Sequence, residues 1–230
     1  MCSHYQYLKE LDRLKRLRLT IPPNWEPPRA SHVYKKYLAP VLRRPPELSS
    51  GDEAVPAIEI LNAQFGLLPY RAADPDEFYK KYDTLNARSE TAAKSYSFAR
   101  PWDRQHCLIP AEWFNEPDWT SGKSVDTKIS RVDGEPVMIA GLWDTWRSKI
   151  TQELTHSFTM LTVNADDHPL MNRFHRPGKE KRMLVLLQEE EWEPWLDATG
   201  EETQRFMRQL PAELLKAEPA APKPSQAELI

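Results

Sequence analysis

His106-Cys107-Leu108-Ile109-Pro110-Ala111-Glu112-Trp113-Phe114 reads as a buried strand, a short and mostly apolar run between polar segments. Outward from it, Thr127–Arg131 and Val137–Trp143 flank Val132-Asp133-Gly134, and an Asp-Gly pair between two such runs predicts a hairpin. His32–Arg43, Ala54–Leu68, Ser157–Val163 and Arg182–Leu187 read as further strands. Leu8, Leu11, Leu14 and Leu17 recur every three residues among charges, which predicts an amphipathic helix or a bent helical segment over 5–19. Pro22, Pro23, Pro27 and Pro28 then enforce an extended connection. Asp74 as N-cap and Pro75 in the first helical position predict a helix over 75–82. Shorter helices are expected over 90–98, 168–174, 189–196 and 201–210. After Leu215 the chain turns to Ala, Pro, Lys, Glu and Gln, which predicts a disordered tail over 216–230. The expected fold class is α+β: a single domain over 1–215 with a curled, barrel-like β core of short strands and peripheral helices.

Composition narrows the function classes. The 230 residues are 40% hydrophobic and 28% charged, as in an ordinary soluble protein. A net charge of −3 advertises no global affinity for nucleic acid, so any DNA-binding surface is a local patch. Two cysteines, Cys2 and Cys107, build no disulfide scaffold and fit a reducing compartment; with no apolar leader or membrane-length run, a cytoplasmic protein is expected. Cys107, within an apolar run, reads as a structural thiol. The six histidines and two cysteines show no metal-ligand spacing, so neither a metal nor a cofactor is expected.

Cys2 carries the chemistry. Aminopeptidases remove an initiator Met ahead of a small residue, and the chain would then begin with an α-amine and a thiol on one residue. Their ordinary pKa values, about 7.7–8.0 and about 8.5, leave both partly nucleophilic near neutrality. Such a pair condenses with an aldehyde to an imine, which the thiol closes to a five-membered thiazolidine. Taken alone, a cysteine at position 2 is more simply an accident of a fraying terminus. The rest of the chain reverses that reading.

Four segments resemble one family in order and spacing. They are Met1-Cys2; Thr84-Leu85-Asn86-Ala87-Arg88-Ser89-Glu90-Thr91-Ala92; Cys107 through Asn115-Glu116-Pro117; and Phe158 through Leu161-Thr162-Val163-Asn164-Ala165 to His175 and Arg182-Met183. Phe65-Gly66-Leu67-Leu68-Pro69 and Ala140-Gly141-Leu142-Trp143 add support. Together they resemble the SRAP family of SOS response-associated peptidases, or abasic-site processing proteins. The resemblance implies a β-rich core with a groove for single-stranded DNA. It implies a covalent thiazolidine crosslink between the amino-terminal cysteine and the ring-opened aldehyde of an abasic site, protecting the lesion during the DNA damage response. By matching motifs, Cys2 is the nucleophile, Asn86 the positioning amide, Glu116 the acid/base carboxylate and His175 the second proton-transfer group. Arg88, Tyr70, Arg182 and Thr162 are the implied DNA contacts, with Tyr70 stacking on a base. The expected partner is single-stranded DNA containing abasic sites, bound by a monomer in the cytoplasm and, when on DNA, at the nucleoid.

The chemistry asks for the same residue types independently. Imine formation needs a neutral amine and a proton for the departing water, which one carboxylate can accept and return. Partial burial beside Trp113 and Phe114 would raise the Glu116 pKa toward that role. An asparagine can hold an amine without competing for its proton. Each residue also has an ordinary reading: a solvated loop carboxylate for Glu116, a surface imidazole for His175, a turn cap for Asn86. Three places depart from the family pattern. Cys2-Ser3-His4 replaces Cys-Gly-Arg, Tyr37-Leu38-Ala39-Pro40 lacks an asparagine, and Arg176–Lys181 separate His175 from Arg182. Two other readings remain: a thiol peptidase with autoproteolytic or lyase activity, and a non-catalytic nucleic-acid- or protein-binding module.

Overall fold

The computed structural model describes residues 2–14, 17 and 19–220; Met1, Lys15, Arg16, Arg18 and 221–230 lie outside them. Twelve strands form one sheet: β1 Tyr5–Tyr7, β2 His32–Val33, β3 Leu38–Arg43, β4 Glu59–Phe65, β5 Asn86–Arg88, β6 His106–Asp118, β7 Val125–Arg131, β8 Val137–Arg147, β9 Leu154–Asn164, β10 Arg182–Leu184, β11 Leu186–Leu187 and β12 Leu215–Pro219. Five of them close on themselves in the order β8-β9-β4-β3-β6, because β6 pairs back to β8. Closure removes the exposed edges that an open sheet of this length would present. Only β4 and β5 run parallel to β9; the other pairings are antiparallel. The α+β expectation of a single domain with a barrel-like core and few peripheral helices matches this architecture.

β6 is the spine. One edge carries β8 opposite 106–111 and β7 opposite 114–118; the other carries β3 at Leu108 and β1 at Phe114. Its inward side chains, with Phe65, Phe158 and Tyr5, fill the barrel; Phe65 stacks on Phe158 at 5.3 Å and takes Tyr5 edge-on at 5.5 Å. Pairing of Tyr5 with Phe114 also lays Cys2–His4 alongside Asn115–Pro117.

Several local expectations differ from the structure. The described residues of 5–19 form no α-helix: Tyr5–Tyr7 are drawn into β1, and turns follow in which the N–H groups of Leu14 and Leu17 bond three residues back, to Leu11 and Leu14, and that of Leu11 bonds the Lys9 carbonyl. A three-residue leucine period is the period of 3₁₀ turns, whose side chains eclipse at i and i+3, so the leucines are buried without a helix. The Asp133-Gly134 turn exists but joins no hairpin. β7 and β8 run the same way, end to end along β6, and 132–136 is a loop pushed out between them. There Asp133 binds Arg131 and the N–H of Glu135, and Gly134 adopts φ 78°.

Of the expected helices, α1 (Pro75–Lys81) forms, with the Asp74 side chain accepting from the N–H of Glu77. The expected 90–98 helix is instead α2 (Ser89–Ala92) and, past a turn, α3 (Ala99–Arg104). The 168–174 segment holds one 3₁₀ turn, and the closing segments hold α4 (Trp192–Asp197) and a 3₁₀ stretch over Gly200–Phe206. His32–Arg43 breaks at Lys36, whose φ is 68°, and Ala54–Leu68 contracts to β4. Arg182–Leu187 changes partners at Val185, β10 pairing with β9 and β11 with β8, because the bridge must fill the wedge where those two diverge. Residues 215–219 pair with β7 as β12, past the expected boundary at 215; the remainder of the expected tail, 221–230, lies outside the described residues.

Gly141 stands where β6, β8 and β9 meet. A Cβ there would lie 2.5 Å from Ile109 Cδ1, 2.9 Å from Cys107 Sγ and 3.0 Å from the Thr159 carbonyl oxygen. Gly141→Ala is expected to cost about 1–3 kcal/mol through overpacking, lowering Tm by several degrees in a thermal melt. An unchanged Tm means that the side chains on β6 give way.

Candidate active site

Cys2, Asn86, Glu116 and His175 arrive from four separate segments and meet at one end of β6. Cys2 is fully buried. Its thiol donates to the His4 carbonyl at 3.3 Å, and that carbonyl also accepts from the N–H of Asn115 at 2.9 Å, so the terminal segment is fastened to β6 one residue before Glu116. Burial, reinforced by the adjacent Glu116 charge, pushes the thiol up to about 12. Asn86 opens β5 and is positioned by pairing with Met160 of β9. Its Nδ2 donates to the Cys2 carbonyl at 2.7 Å, while its buried Oδ1 has no hydrogen-bond donor.

Glu116 is 1% exposed, and burial lifts its carboxyl to about 7. His175 Nδ1 lies 3.5 Å from Glu116 Oε2. Its other ring nitrogen, Nε2, faces the Arg182 carbonyl at 3.1 Å. A carbonyl only accepts, so the ring proton sits on Nε2 and Nδ1 presents a lone pair to the carboxyl. Burial first, then positive charge including Lys181 and Arg182, depresses the imidazole to about 4. Of the two, the carboxyl therefore holds a proton up to about pH 7, while the imidazole is neutral well below it. The His175 backbone is held by its N–H donating to the Pro117 carbonyl at 3.1 Å and adopts φ 63°, a left-handed conformation uncommon for residues other than glycine.

The residues expected on DNA are distributed differently. Tyr70 is half exposed, with the Arg100 guanidinium 4.2 Å over its ring and its N–H donating to buried Asp144. Arg88 is half exposed and ion-paired to Glu180. Two expected ligands are not offered to solvent. Thr162 is 1% exposed and its hydroxyl donates to the Ala87 carbonyl, because it lies on the inward face of β9. Arg182 is 4% exposed and is held by both oxygens of Glu90 at 2.8 Å, by Glu180 at 2.8 Å and by the Thr162 carbonyl at 2.7 Å. A buried guanidinium requires such partners, and here they lock β10 to α2 and β9. The sequence signal for that lock was Glu90 within Arg88-Ser89-Glu90. A second unforeseen feature adjoins Cys2: His4 Nε2 lies 3.0 Å from His32 Nδ1, and His4 stacks on Tyr34 at 4.3 Å. Among the described residues no group of three His, Cys, Asp or Glu side chains could hold a metal, and no helix is long and apolar enough to cross a membrane.

This arrangement can be compared with known proteins. The model of the family described as SOS response associated peptidase (SRAP) matches residues 1–223. The chain belongs to the SRAP family. The abasic site processing protein YobE of Bacillus subtilis is 30% identical over 135 residues, 58% of this chain and 57% of its own length. The abasic site processing protein HMCES of Xenopus tropicalis is 26% identical over 152 residues, 58% of this chain and 44% of its own length. The chain thus spans about half the length of the curated relatives it matches. A Bordetella bronchiseptica protein of known crystal structure superposes with a TM-score of 0.83 at 39% identity, over 96% of this chain and all of that one. A Bacteroides thetaiotaomicron structure superposes with a TM-score of 0.77 at 20% identity, which speaks for the SRAP fold alone.

The two shifted groups act oppositely on stability. Glu116 keeps its proton longer in the folded chain than in the unfolded one, so its contribution is present below about 4.5 and is lost as pH rises to about 7. His175 resists protonation when folded, so its penalty applies below about 4 and is relieved as pH rises to about 6.5. Glu116→Gln removes only the first. Relative to wild type, that variant should gain about 2 kcal/mol between pH 5 and pH 7, measured by urea unfolding. A wild-type-minus-variant difference that is the same at both pH values contradicts the assigned shift.

Proposed function

We propose that this chain captures abasic sites in single-stranded DNA through a covalent bond at Cys2, once Met1 has been removed. The observation that carries the proposal is the convergence of Asn86, Glu116 and His175 on the main chain and thiol of Cys2. The names of the curated relatives, abasic site processing proteins, support the substrate class.

The steps follow from the geometry. The Cys2 α-amine, on a residue whose carbonyl is held by Asn86 Nδ2, adds to the aldehyde carbon of the ring-opened sugar. Glu116, about half protonated at neutrality, gives its proton to the carbinolamine oxygen, and water leaves as the protonated imine forms. The thiol then adds to the imine carbon. Its proton returns to the Glu116 carboxylate, which restores the acid, and the product is a thiazolidine lighter by one water than protein plus DNA. Neutral His175, with Nδ1 toward Glu116, holds the acid in place and can take its proton transiently.

The raised thiol pKa bears on the alternative. A thiol peptidase works through a thiolate whose pKa is lowered by a neighbouring cation. Cys2 is pushed the other way, to about 12, and its neighbour is an acid. That environment favours the amine as first nucleophile and the thiol as the trap.

Purified protein incubated with abasic single-stranded oligonucleotide should yield an adduct stable to denaturation, at the summed mass minus one water. Cys2→Ala should give none; an undiminished adduct with that variant removes Cys2 from the mechanism. Glu116→Gln should slow single-turnover adduct formation by about 10²–10⁴-fold, and an unchanged rate returns Glu116 to a packing role.

A further inference from the structure

Beside His175 opens a pocket of about 400 Å³ lined by Arg88, His175, Arg176, Lys179, Glu180 and Arg182. Four permanent cations face it with one carboxylate among them. That carboxylate, Glu180, belongs to the segment 176–181 that separates His175 from Arg182. The segment is fixed at its far end by the Lys181 N–H donating to Asp166 at 2.8 Å and by Lys181 Nζ donating to the His175 carbonyl at 2.9 Å. Glu180 thereby reaches three groups: it pairs with Arg88, accepts from Arg182 Nη1 at 2.8 Å and accepts from Asn164 Nδ2 at 3.1 Å. A carboxylate bridging two guanidiniums makes the contacts that a phosphate oxygen would make there.

We propose that Glu180 occupies the position of a backbone phosphate and so sets the discrimination between intact and abasic strands. The inference rests on the DNA reading above. Any entering phosphate must displace Glu180 from Arg88, which weakens reversible binding of every strand alike. An intact strand gains nothing further and leaves. An abasic strand is retained by the bond to Cys2, which does not depend on the strength of the phosphate contact. Selectivity thus arises from an element placed against the wrong partner rather than from extra contacts to the right one. The two arginines respond unequally. Arg182 keeps both oxygens of Glu90 when Glu180 is neutralised, whereas Glu180 is the one carboxylate hydrogen-bonded to Arg88 among the described contacts, and Glu90 acts on Arg88 only through space. Glu180 is 37% exposed, so replacing it disturbs little packing.

The test is fluorescence anisotropy with an undamaged, labelled single strand against wild type, E180Q, R88A and the double variant at several salt concentrations. E180Q should bind roughly three- to fivefold tighter, the worth of an exposed ion pair. Its plot of log K against log salt should steepen by about 0.7, one additional phosphate contact to a single strand. Both gains should vanish in the R88A background. An E180Q affinity at or below wild type overturns the proposal, as does a gain that survives R88A. Should E180Q fail to fold, Glu180→Asp, which retracts the charge by one methylene, should show the same direction at smaller size, and no gain there overturns the proposal equally. No binding by any of the four overturns the DNA reading and this inference with it. The expected binding pattern without an adduct on abasic strands overturns the Cys2 chemistry alone and leaves the assignment of Glu180 standing.

Discussion

The burial of one carboxyl group, Glu116, is the constraint on which the rest of the site depends. Near the end of the longest strand, it is shut from water by the barrel wall and by the terminal segment folded along β6. Desolvation holds its proton to about pH 7, where an ordinary glutamate would have lost it. The same burial keeps the Cys2 thiol protonated and His175 neutral. Burial disfavours the charged form of all three groups, and of the three only the carboxyl changes its protonation near neutrality. A cluster of this kind suits a reaction that needs an acid for departing water and a base for an incoming thiol within one cycle.

The positioning is a property of the closed sheet. Asn86 depends on β5 pairing with β9, Glu116 on β6, Cys2 on β1, and His175 on a bond back to Pro117. No loop has to close to bring them together. Arg182, buried and ion-paired, ties β10 to the Ser89–Glu90 turn and so steadies the segment from which His175 projects. Its role here is architectural, and the cations left facing the solvent, Arg88 foremost, are those able to meet a phosphate.

Much of this was legible in the sequence, and what was not has identifiable physical causes. The β6 strand and the α1 cap follow from local chemistry, and the order of the family's motifs singled out Cys2, Asn86, Glu116 and His175, which the fold brings together. The helix expected over 5–19 failed because leucines three apart suit a 3₁₀ turn as well as an α-helix, and the pairing of Tyr5–Tyr7 with β6 decided between them. The hairpin failed because turn chemistry reports a change of direction at one point; it does not report which strand the chain pairs with next. Arg182 and Thr162 were named as DNA contacts through the family resemblance, whereas their burial is a property of the sheet register, which no short motif encodes. Glu180 lies in the one stretch that departs most from the family pattern.

The most direct test is a titration of the Glu116 side-chain carboxyl in the folded protein, followed by ¹³C NMR with Glu116→Gln to assign the resonance. The account predicts a midpoint near pH 7, displaced by burial from the ordinary value of 4.5. A midpoint in the ordinary glutamate range would mean that the carboxyl is solvated and already ionised at neutrality, and the proton on which the proposed chemistry turns would not be there.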